Sequence, residues 1–346
     1  MPRGETTYRE IRQQPETWPE TVERATGTGF GELGSAVLTG AGTSAYAGMA
    51  VEAAWPGSRA VPSTELFLDF AEPLGHRGVL VSLARSGNSP ESVAVVEKIQ
   101  RALPRVRHIA ITCNADGKLA KWPGVEALVL PERTNDRSLA MTSSFTNLVL
   151  AGVCLARPVA ADVVEVLARS GETVLREHEA TARDLAAQRP GRLVALASAP
   201  LLGAAREACL KVLEMTAGRI ATLAETYLGL RHGPMSFLDR DTLVLCFVSS
   251  EPRRQRYEMD LIEELRTKQL GRLVGLAPPG AGGRVFDAVV STEASALPDY
   301  LRTPAEIVFC QLLAYHASLG FGLDPDNPSP AGVIHRVVQG VRIYED

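Results

Sequence analysis

Short apolar segments alternate with longer amphipathic stretches along the first half of the chain. The apolar segments lie near 36–39, 79–83, 108–112 and 127–129, and their length and aliphatic content predict buried strands. The residues between them favour helices. Because consecutive parallel strands require crossover helices, the alternation predicts a parallel sheet that is covered by helices on both faces.

The same pattern restarts in the second half, after two long helices. These helices are predicted over 142–156 and 161–188, and Arg189-Pro190 ends the second of them. Further strands and helices follow over 193–197, 201–215, 242–248, 257–270 and 273–276. The sequence therefore predicts an α/β protein with an internal duplication of architecture, in which each half is a doubly wound parallel sheet flanked by helices.

Two of the predicted strand-to-helix turns, at 42–44 and 85–89, carry hydroxyl groups suited to an anion. A helix is predicted directly after each turn, so free backbone amides and helix dipoles would face the anion as well. If the two strands are neighbours, their carboxyl ends share one crevice. A phosphate monoester would then be held by Thr43, Ser44, Arg85, Ser86 and Ser89.

Other interpretations of these turns remain open. Ser- and Gly-rich turns also serve as simple helix caps in doubly wound folds. A nicotinamide site is disfavoured, because Ala45 stands where the dinucleotide fingerprint requires its third glycine. In the second half the corresponding turn contains Glu251, which would repel a phosphate. We therefore expect the first half to bind the phosphate and the second to carry the chemistry.

The densest polar cluster in the second half lies between 211 and 234. Lys211 and Glu214 are three positions apart on a predicted helix with mostly apolar neighbours, so both face one side of a largely buried element. A carboxylate in such surroundings suits a base that takes and returns a proton. An ordinary ion pair on a helix surface would show the same spacing, and that alternative stays open.

His232 lies on an irregular segment, between Arg231 and a Gly-Pro pair that ends regular structure. A titrating imidazole on such a segment is more often functional than one on a helix face. His316 and His335 are possible neighbours of a site, although neither belongs to a motif of its own.

Composition and charge narrow the class of protein. The chain has 346 residues and a net charge of -4, which gives it no general attraction for nucleic acid or an acidic membrane. It contains no apolar run of membrane-spanning length and begins with a polar segment, so we expect a cytoplasmic protein with neither anchor nor signal peptide. Its five cysteines are widely spaced, which predicts free thiols rather than disulfides or a zinc cluster.

Taken together, these segments resemble the proteins with two sugar isomerase (SIS) domains. Within that superfamily the chain is most similar to the tagatose-6-phosphate ketose/aldose isomerases, also described as galactosamine-6-phosphate deaminase/isomerases. The resemblance implies an N-terminal helical extension over 1–30, a phosphate-binding SIS domain over 31–170 and a catalytic SIS domain over 171–346. The motifs that carry it are Gly42-Thr43-Ser44, Arg85-Ser86-Gly87-Asn88-Ser89, Met141-Thr142-Ser143-Ser144-Phe145-Thr146, Lys211-x-x-Glu214, Arg231-His232-Gly233-Pro234 and Asp324-Pro325-Asp326-Asn327-Pro328.

The resemblance also implies roles for individual residues. Glu214 would move a proton between C1 and C2 of the open-chain sugar, Lys211 would support it, and His232 would assist ring opening. In this superfamily the histidine typically comes from the neighbouring subunit, which implies a homodimer with shared active sites. No metal or redox cofactor is implied. The substrate-binding residues implied are Thr43, Ser44, Arg85, Ser86, Ser89, Thr142, Ser143 and Arg231.

The activity expected from this resemblance is deamination coupled to isomerisation of an amino-sugar phosphate. Galactosamine 6-phosphate would give tagatose 6-phosphate and ammonia, or glucosamine 6-phosphate would give fructose 6-phosphate. A deglycase acting on fructosamine 6-phosphates is an alternative with the same base and histidine. A non-catalytic sugar-phosphate sensor is another, although residues 1–30 contain no basic helix-turn-helix that could bind DNA.

Overall fold

The chain forms two parallel sheets, one in each half, in a computed structural model that describes residues 3–329, 331–338 and 340–344. In the described part of the first half, the bounds are α1 Glu5–Arg12, α2 Gln14–Thr26, β1 Ala36–Thr39, α3 Thr43–Glu52, β2 Arg59–Ala60, α4 Ser63–Leu66, α5 Ala71–Leu74, β3 Val79–Ala84, α6 Pro90–Ala102, β4 Arg107–Thr112, β5 Val125–Val129, α7 Ser143–Ala156 and α8 Ala161–Thr173.

The second half repeats the alternation of strands and helices. A π-helical segment, Val174–His178, joins α8 to α9, so that the two are continuous. The remaining bounds are α9 Glu179–Ala187, β6 Arg192–Ala197, α10 Leu202–Met215, β7 Ala221–Glu225, α11 Tyr227–Leu230, β8 Leu243–Phe247, α12 Pro252–Thr267, β9 Arg272–Leu276, β10 Ala288–Val290 and α13 Asp299–Gly320.

The two sheets share one topology, which confirms the predicted duplication. The strand order is β2-β1-β3-β4-β5 in the first sheet and β7-β6-β8-β9-β10 in the second, and every pairing is parallel. In both sheets the third strand lies beside the first, so the chain reverses its direction of travel across the sheet at that point. Ligands of open parallel sheets bind beyond the strand ends at such a reversal.

Several elements were not predicted from the sequence. The edge strands β2, β7 and β10 have at most five residues and lack a long apolar run. The N-terminal extension over 1–30, expected only to be helical, forms two helices, α1 and α2. Helix α1 begins where Asp324 and Asp326 accept hydrogen bonds from the backbone amides of Gly4 and Thr7, at 2.9 and 2.7 Å. These caps are supplied by residues more than 300 positions away, so local sequence does not indicate them.

Helices between the two sheets join the halves into one core. The long helix α13 is buried along most of its length and packs against α7, α8, α9 and α10. Helix α10 also crosses α3 closely, because Gly203 has no side chain at the crossing. A Cβ at Gly203 would lie 2.7 Å from Ala50 N and 2.8 Å from Tyr46 O. This crossing brings α10, a helix of the second half, close to the turn at 42–44 in the first half.

No helix in the described ranges combines the length and the hydropathy needed to cross a membrane.

Candidate active site

A cavity of about 340 Å³ opens at the carboxyl ends of β1 and β3. These strands pair directly, with Thr39 opposite Ser82, so they are neighbours and the turns that follow them lie side by side. The cavity is enclosed by five parts of the chain. They are the turn at 41–44, the β3 end and its turn at 83–92, the loop residues Leu139 and Met141, Glu214 on α10, and the C-terminal segment 333–338.

Hydroxyl groups form the side of the cavity beneath the two turns, and we name this side the phosphate wall because the sequence predicts that it binds a phosphate. Thr43, Ser44 and Ser86 are all buried there, and Ser89 also contributes to the lining. Helices α3 and α6 begin at this wall, so their N-terminal amides and dipoles favour an anion. Gly87 has a φ of 66°, a left-handed conformation that lets the turn bend back toward the cavity. Four of the five predicted phosphate ligands are thereby brought together.

Arg85, the fifth, lies at the same wall and is 6% exposed. Its guanidinium donates hydrogen bonds to Ser138 O at 3.3 Å, to Leu139 O at 3.0 Å and to Arg336 O. Burial lowers the pKa of Arg85 below its ordinary value, and the charge of Arg336 acts in the same direction. Since these bonds go to neutral carbonyl oxygens, the positive charge is available to an anion in the cavity.

The cavity lining also includes Glu214, which belongs to a cluster of three charged residues on α10. The Lys211 ammonium lies 3.4 Å from Glu207 Oε1 and also bonds to Glu214. Lys211 and Glu207 are completely buried, whereas the Glu214 side chain is 23% exposed and lines the cavity. The Thr43 hydroxyl donates a hydrogen bond to Glu207 at 3.2 Å, which links the cluster to the turn at 42–44.

Glu207 was missed at the sequence level, although its spacing from Lys211 is the i, i+4 spacing of a helical ion pair. Burial raises the pKa of Glu207 to about 8, while the charge of Lys211 opposes the shift. Burial alone would lower the pKa of Lys211, but the charges of Glu207 and Glu214 raise it. Lys211 is thus held between a fully buried carboxyl group, Glu207, and one that reaches the cavity, Glu214.

Thr142 and Ser143 do not reach the cavity, although the resemblance implied that they bind substrate. Both are fully buried, and their amides bond to the Asp136 carboxylate at 2.8 and 3.1 Å, which caps α7. The Ser143 hydroxyl donates to Glu10 O at 2.8 Å. Since these groups already have partners, their contribution is to fix the loop from which Met141 reaches the cavity.

Arg231 and His232 also lie away from the cavity of their own chain. Both side chains are exposed on the segment that follows α11, and neither contributes to the cavity lining. Arg231 Nε donates to Glu264 Oε2 on α12 at 2.7 Å. A single chain therefore does not bring His232 to Glu214. Its delivery by a neighbouring subunit stays a prediction.

The C-terminal segment 333–338 lines the cavity and contains His335, which the sequence indicated as a possible neighbour of a site, and Arg336, which the sequence did not indicate. His335 and Arg336 are both part of the lining. Arg336 anchors the segment, since its guanidinium donates to Asp136 O at 2.9 Å and to Asn135 Oδ1 at 2.8 Å. The apolar residues around His335 were the available signal, but they give no indication of where the segment docks.

The equivalent turn of the second sheet is filled by carboxylates of the chain itself. Asp299 Oδ1 accepts from the Ser250 amide at 2.8 Å, and Asp299 Oδ2 accepts from the Ser249 hydroxyl. Glu258 accepts from the Ser249 amide at 2.7 Å. Glu251, the residue that the sequence singled out, caps α12 at the same turn. Donors that face a cavity in the first half thus have internal acceptors in the second.

Known proteins resemble this chain along almost its whole length. A Streptomyces coelicolor relative that carries the name AgaS is 40% identical over 98% of this chain and 95% of its own sequence. The D-galactosamine-6-phosphate deaminase AgaS of Escherichia coli O157:H7 is 35% identical and covers 99% of this chain and 96% of its own. This chain belongs to the AgaS family. The resemblance indicated by the motifs is therefore confirmed.

The solved structures agree with this assignment. The tagatose-6-phosphate ketose/aldose isomerase from Escherichia coli matches with a TM-score of 0.85 at 31% identity, over 97% of this chain and 98% of its own. No protein-family model matches the sequence. The relatives carry the name of a sugar-phosphate deaminase, and the solved structure is that of a sugar-phosphate isomerase. The matches over nearly the whole chain confirm the predicted fold of two SIS sheets and the prediction of an enzyme.

Proposed function

We propose that this AgaS-family protein converts D-galactosamine 6-phosphate into tagatose 6-phosphate and ammonia. The observation that carries the proposal is the position of Glu214, a partly exposed carboxylate that lines the same cavity as a set of hydroxyls, two helix N-termini and a buried guanidinium. A phosphate held by the phosphate wall would place the remote carbons of an open-chain sugar beside the carboxylate. Binding energy at the phosphate would thus position the reacting carbons.

Different residues of the cavity bind the phosphate and transfer the proton. Ser44, Ser86, Ser89 and Arg85 hold the phosphate. Glu214 removes the proton from C2 of the open-chain amino aldose and returns it to C1, through an enolamine. The product is an imine at C2, and water adds to it and releases ammonia, which leaves the ketose phosphate. A positioned general base of this kind contributes roughly 10²- to 10⁴-fold.

Lys211 supports the base through charge. Its ammonium lies between the Glu214 carboxylate and the buried Glu207, so it balances the negative charge that passes from the base to the sugar. Glu207 holds the ammonium in place from the buried side. The Thr43 hydroxyl bonds to Glu207 and connects this support to the phosphate wall.

The working unit in this proposal is a homodimer in which His232 of the neighbouring subunit assists ring opening. The exposure of His232, and its absence from the cavity of its own chain, support this arrangement. We further propose a cytoplasmic location. Its support is that all five cysteines are free thiols and four of them are buried, as suits a reducing compartment.

A second candidate function is a deglycase that acts on fructosamine 6-phosphates. An apolar cavity of about 440 Å³ adjoins the first, and both share Glu214 in their lining. Leu210, Leu213 and Ala217 form part of its wall. A substituent on the substrate nitrogen could occupy this space, whereas a free amine would not need it.

The test measures ammonia release from galactosamine 6-phosphate and glucosamine 6-phosphate in parallel, with ketose phosphate followed in the same samples. We expect equal amounts of ammonia and tagatose 6-phosphate from the first substrate. A faster reaction with glucosamine 6-phosphate would reassign the substrate. If neither amino sugar reacts and a fructosamine 6-phosphate releases its amine, the deglycase replaces the deaminase.

A further inference from the structure

A second, strongly basic cavity of about 690 Å³ lies beside the substrate cavity. We name it the arginine groove. It is formed by α1, by the loop between β5 and α7, and by the C-terminal segment, and its lining residues are Arg9, Glu10, Gln13, Glu132, Arg133, Asn135, Arg137 and Arg336. Four of these eight are arginines and two are glutamates, so the lining has an excess of positive charge. The volume falls in the range of small-molecule sites.

Two of the arginines in the groove carry a charge that is not neutralised by a partner. In the described part of the chain, the side chains of Arg9 and Arg137 form no ion pair. Arg133 lies 3.5 Å from Glu16 and donates to Glu16 O at 2.6 Å, so it is already partly engaged. Unpaired guanidinium groups from separate elements that line one cavity can form a site for an anion with several oxygens.

Glu10 does not cancel this charge. Its carboxylate is 4% exposed and accepts hydrogen bonds from the Arg137 amide at 2.6 Å and from the Ser138 hydroxyl. Burial raises the pKa of Glu10 to about 7, and the nearby charge of Asp136 adds to the effect. Near neutral pH this carboxyl is therefore protonated for much of the time.

We propose that the arginine groove is a second anion site, for a phosphate monoester distinct from the substrate. Arg9, on α1, and Arg137, on the loop before α7, both line the groove and supply the charge that recognises the phosphate. The inference stands on the groove itself and does not require the activity proposed above.

The groove also has a direct structural connection to the substrate cavity. Arg336 lines both, and its carbonyl oxygen accepts a hydrogen bond from Arg85 at the phosphate wall. A ligand bound to the Arg336 guanidinium would hold the C-terminal segment against the cavity. Occupation of the groove would thus strengthen binding in the substrate cavity, and the reverse would follow by linkage.

The experiment counts phosphate sites by isothermal titration calorimetry at constant ionic strength. The probes are inorganic phosphate and galactitol 6-phosphate, a sugar-alcohol phosphate that cannot isomerise. The proteins are the wild type, Arg9→Gln/Arg137→Gln, Arg85→Gln and the control Arg101→Gln/Arg176→Gln. The control removes the same charge from two exposed arginines whose ion-pair partners, Glu97 and Glu177, lie on the protein surface.

We expect two sites per chain in the wild type and in the control. The Arg9/Arg137 double variant should lose the groove site, or weaken it at least about tenfold, and keep the site that depends on Arg85. Equal affinity for both probes would mean that the groove recognises only the phosphate group. Tighter binding of the sugar-alcohol phosphate would add recognition of the sugar. A single site in the wild type, or a second site that survives in the double variant, would overturn the proposal.

Hydrogen exchange provides a test that leaves the groove residues unchanged. In Arg85→Gln, galactitol 6-phosphate should still protect the amides of 132–137 and of α1, because the groove is intact. Absence of protection there would also contradict the proposal.

Discussion

At the residue scale, Glu207 and Glu214 differ in exposure, and this difference assigns their roles. Both contact the same ammonium, but Glu207 is sealed in the core while Glu214 opens onto the cavity. Only a carboxylate that touches the substrate can exchange protons with it. Glu207 is therefore a positioning residue that holds Lys211 in place.

The role of Arg85 predicts a kinetic signature. Replacement by Ala removes a charge-assisted contact to the phosphate, so we expect KM to rise roughly 10- to 100-fold, with a smaller effect on kcat. Steady-state kinetics with the amino-sugar phosphate would measure this. Arg101→Ala, an exposed arginine on α6, is the matched control. An unchanged KM in Arg85→Ala would refute the phosphate assignment.

Glu207 predicts a dependence of stability on pH. Its folded pKa of about 8 lies above the ordinary value of 4.5, so the folded protein holds a proton that the unfolded chain releases. This contribution to stability is complete below about pH 4.5 and is lost as the pH rises toward 8. Glu207→Gln carries no titrating proton, so its stability should fall less over this window.

Urea unfolding at pH 5, 6, 7 and 8 would measure the effect. Glu10 and Glu306, whose pKa values burial raises to about 7, remain in the variant and keep part of the slope. Glu97→Gln on the surface of α6 is the control. Identical slopes in Glu207→Gln and the wild type would contradict the assigned pKa of Glu207.

At the element scale, the site depends on how closely α10 approaches α3. A methyl group at Gly203 would meet backbone atoms of α3, which cannot rotate away as a side chain can. Gly203→Ala should destabilise the fold by roughly 1–3 kcal/mol and lower kcat, because Glu214 shifts relative to the phosphate wall.

Gly78→Ala is the control for this prediction, since a Cβ there would meet no atom within 4 Å. Denaturant unfolding and kinetics on both variants would separate the effects. Wild-type stability and kcat in Gly203→Ala would mean that the crossing tolerates a wider spacing.

Elements with a strong local signal were the ones that the sequence predicted well. The central strands β1, β3 and β4 were placed within one or two residues, because each is a continuous apolar run bounded by turn residues. The short edge strand β2 has two residues, Arg59 and Ala60, and no such signal. Helix α13 went unpredicted, since it is buried on nearly all sides and lacks a polar face to reveal its period.

The strength of the local signal also explains which residues of the site could be predicted from the sequence. Thr43, Ser44, Arg85 and Ser86 follow strands directly, so their convergence follows from the order of strands in a parallel sheet. His335 and Arg336 reach the cavity through docking of the C-terminal segment, which depends on contacts between residues 200 or more positions apart. Thr142 and Ser143 were expected in the site from the resemblance alone, and the structure uses them to cap α7.

At the scale of the whole molecule, two sheets of the same topology have diverged. The first keeps open donors at its strand ends, and the second has filled them with Asp299 and Glu258. Each chain therefore has one candidate active site of this kind among the described residues. The histidine implied for that site faces outward, and this gives the oligomer a catalytic role in the proposal.

Complementation between inactive variants would test that role. If the site combines Glu214 of one subunit with His232 of the other, a mixed dimer of Glu214→Gln and His232→Ala contains one intact site. After subunit exchange of equal amounts, we expect about a quarter of wild-type activity, since half of the dimers are mixed and each has one of two sites. Recovery should require exchange. Mixtures that stay inactive after demonstrated exchange would place His232 outside the neighbouring site.

The most direct test of the account measures ammonia release and ligand binding in Glu214→Gln. We predict that kcat with galactosamine 6-phosphate falls by roughly 10²- to 10⁴-fold, while the affinity for galactitol 6-phosphate stays within a few-fold of wild type. Glu97→Gln should match the wild type in both. Turnover that survives in Glu214→Gln, or binding that is lost together with turnover, would contradict the assignment of Glu214 as the base.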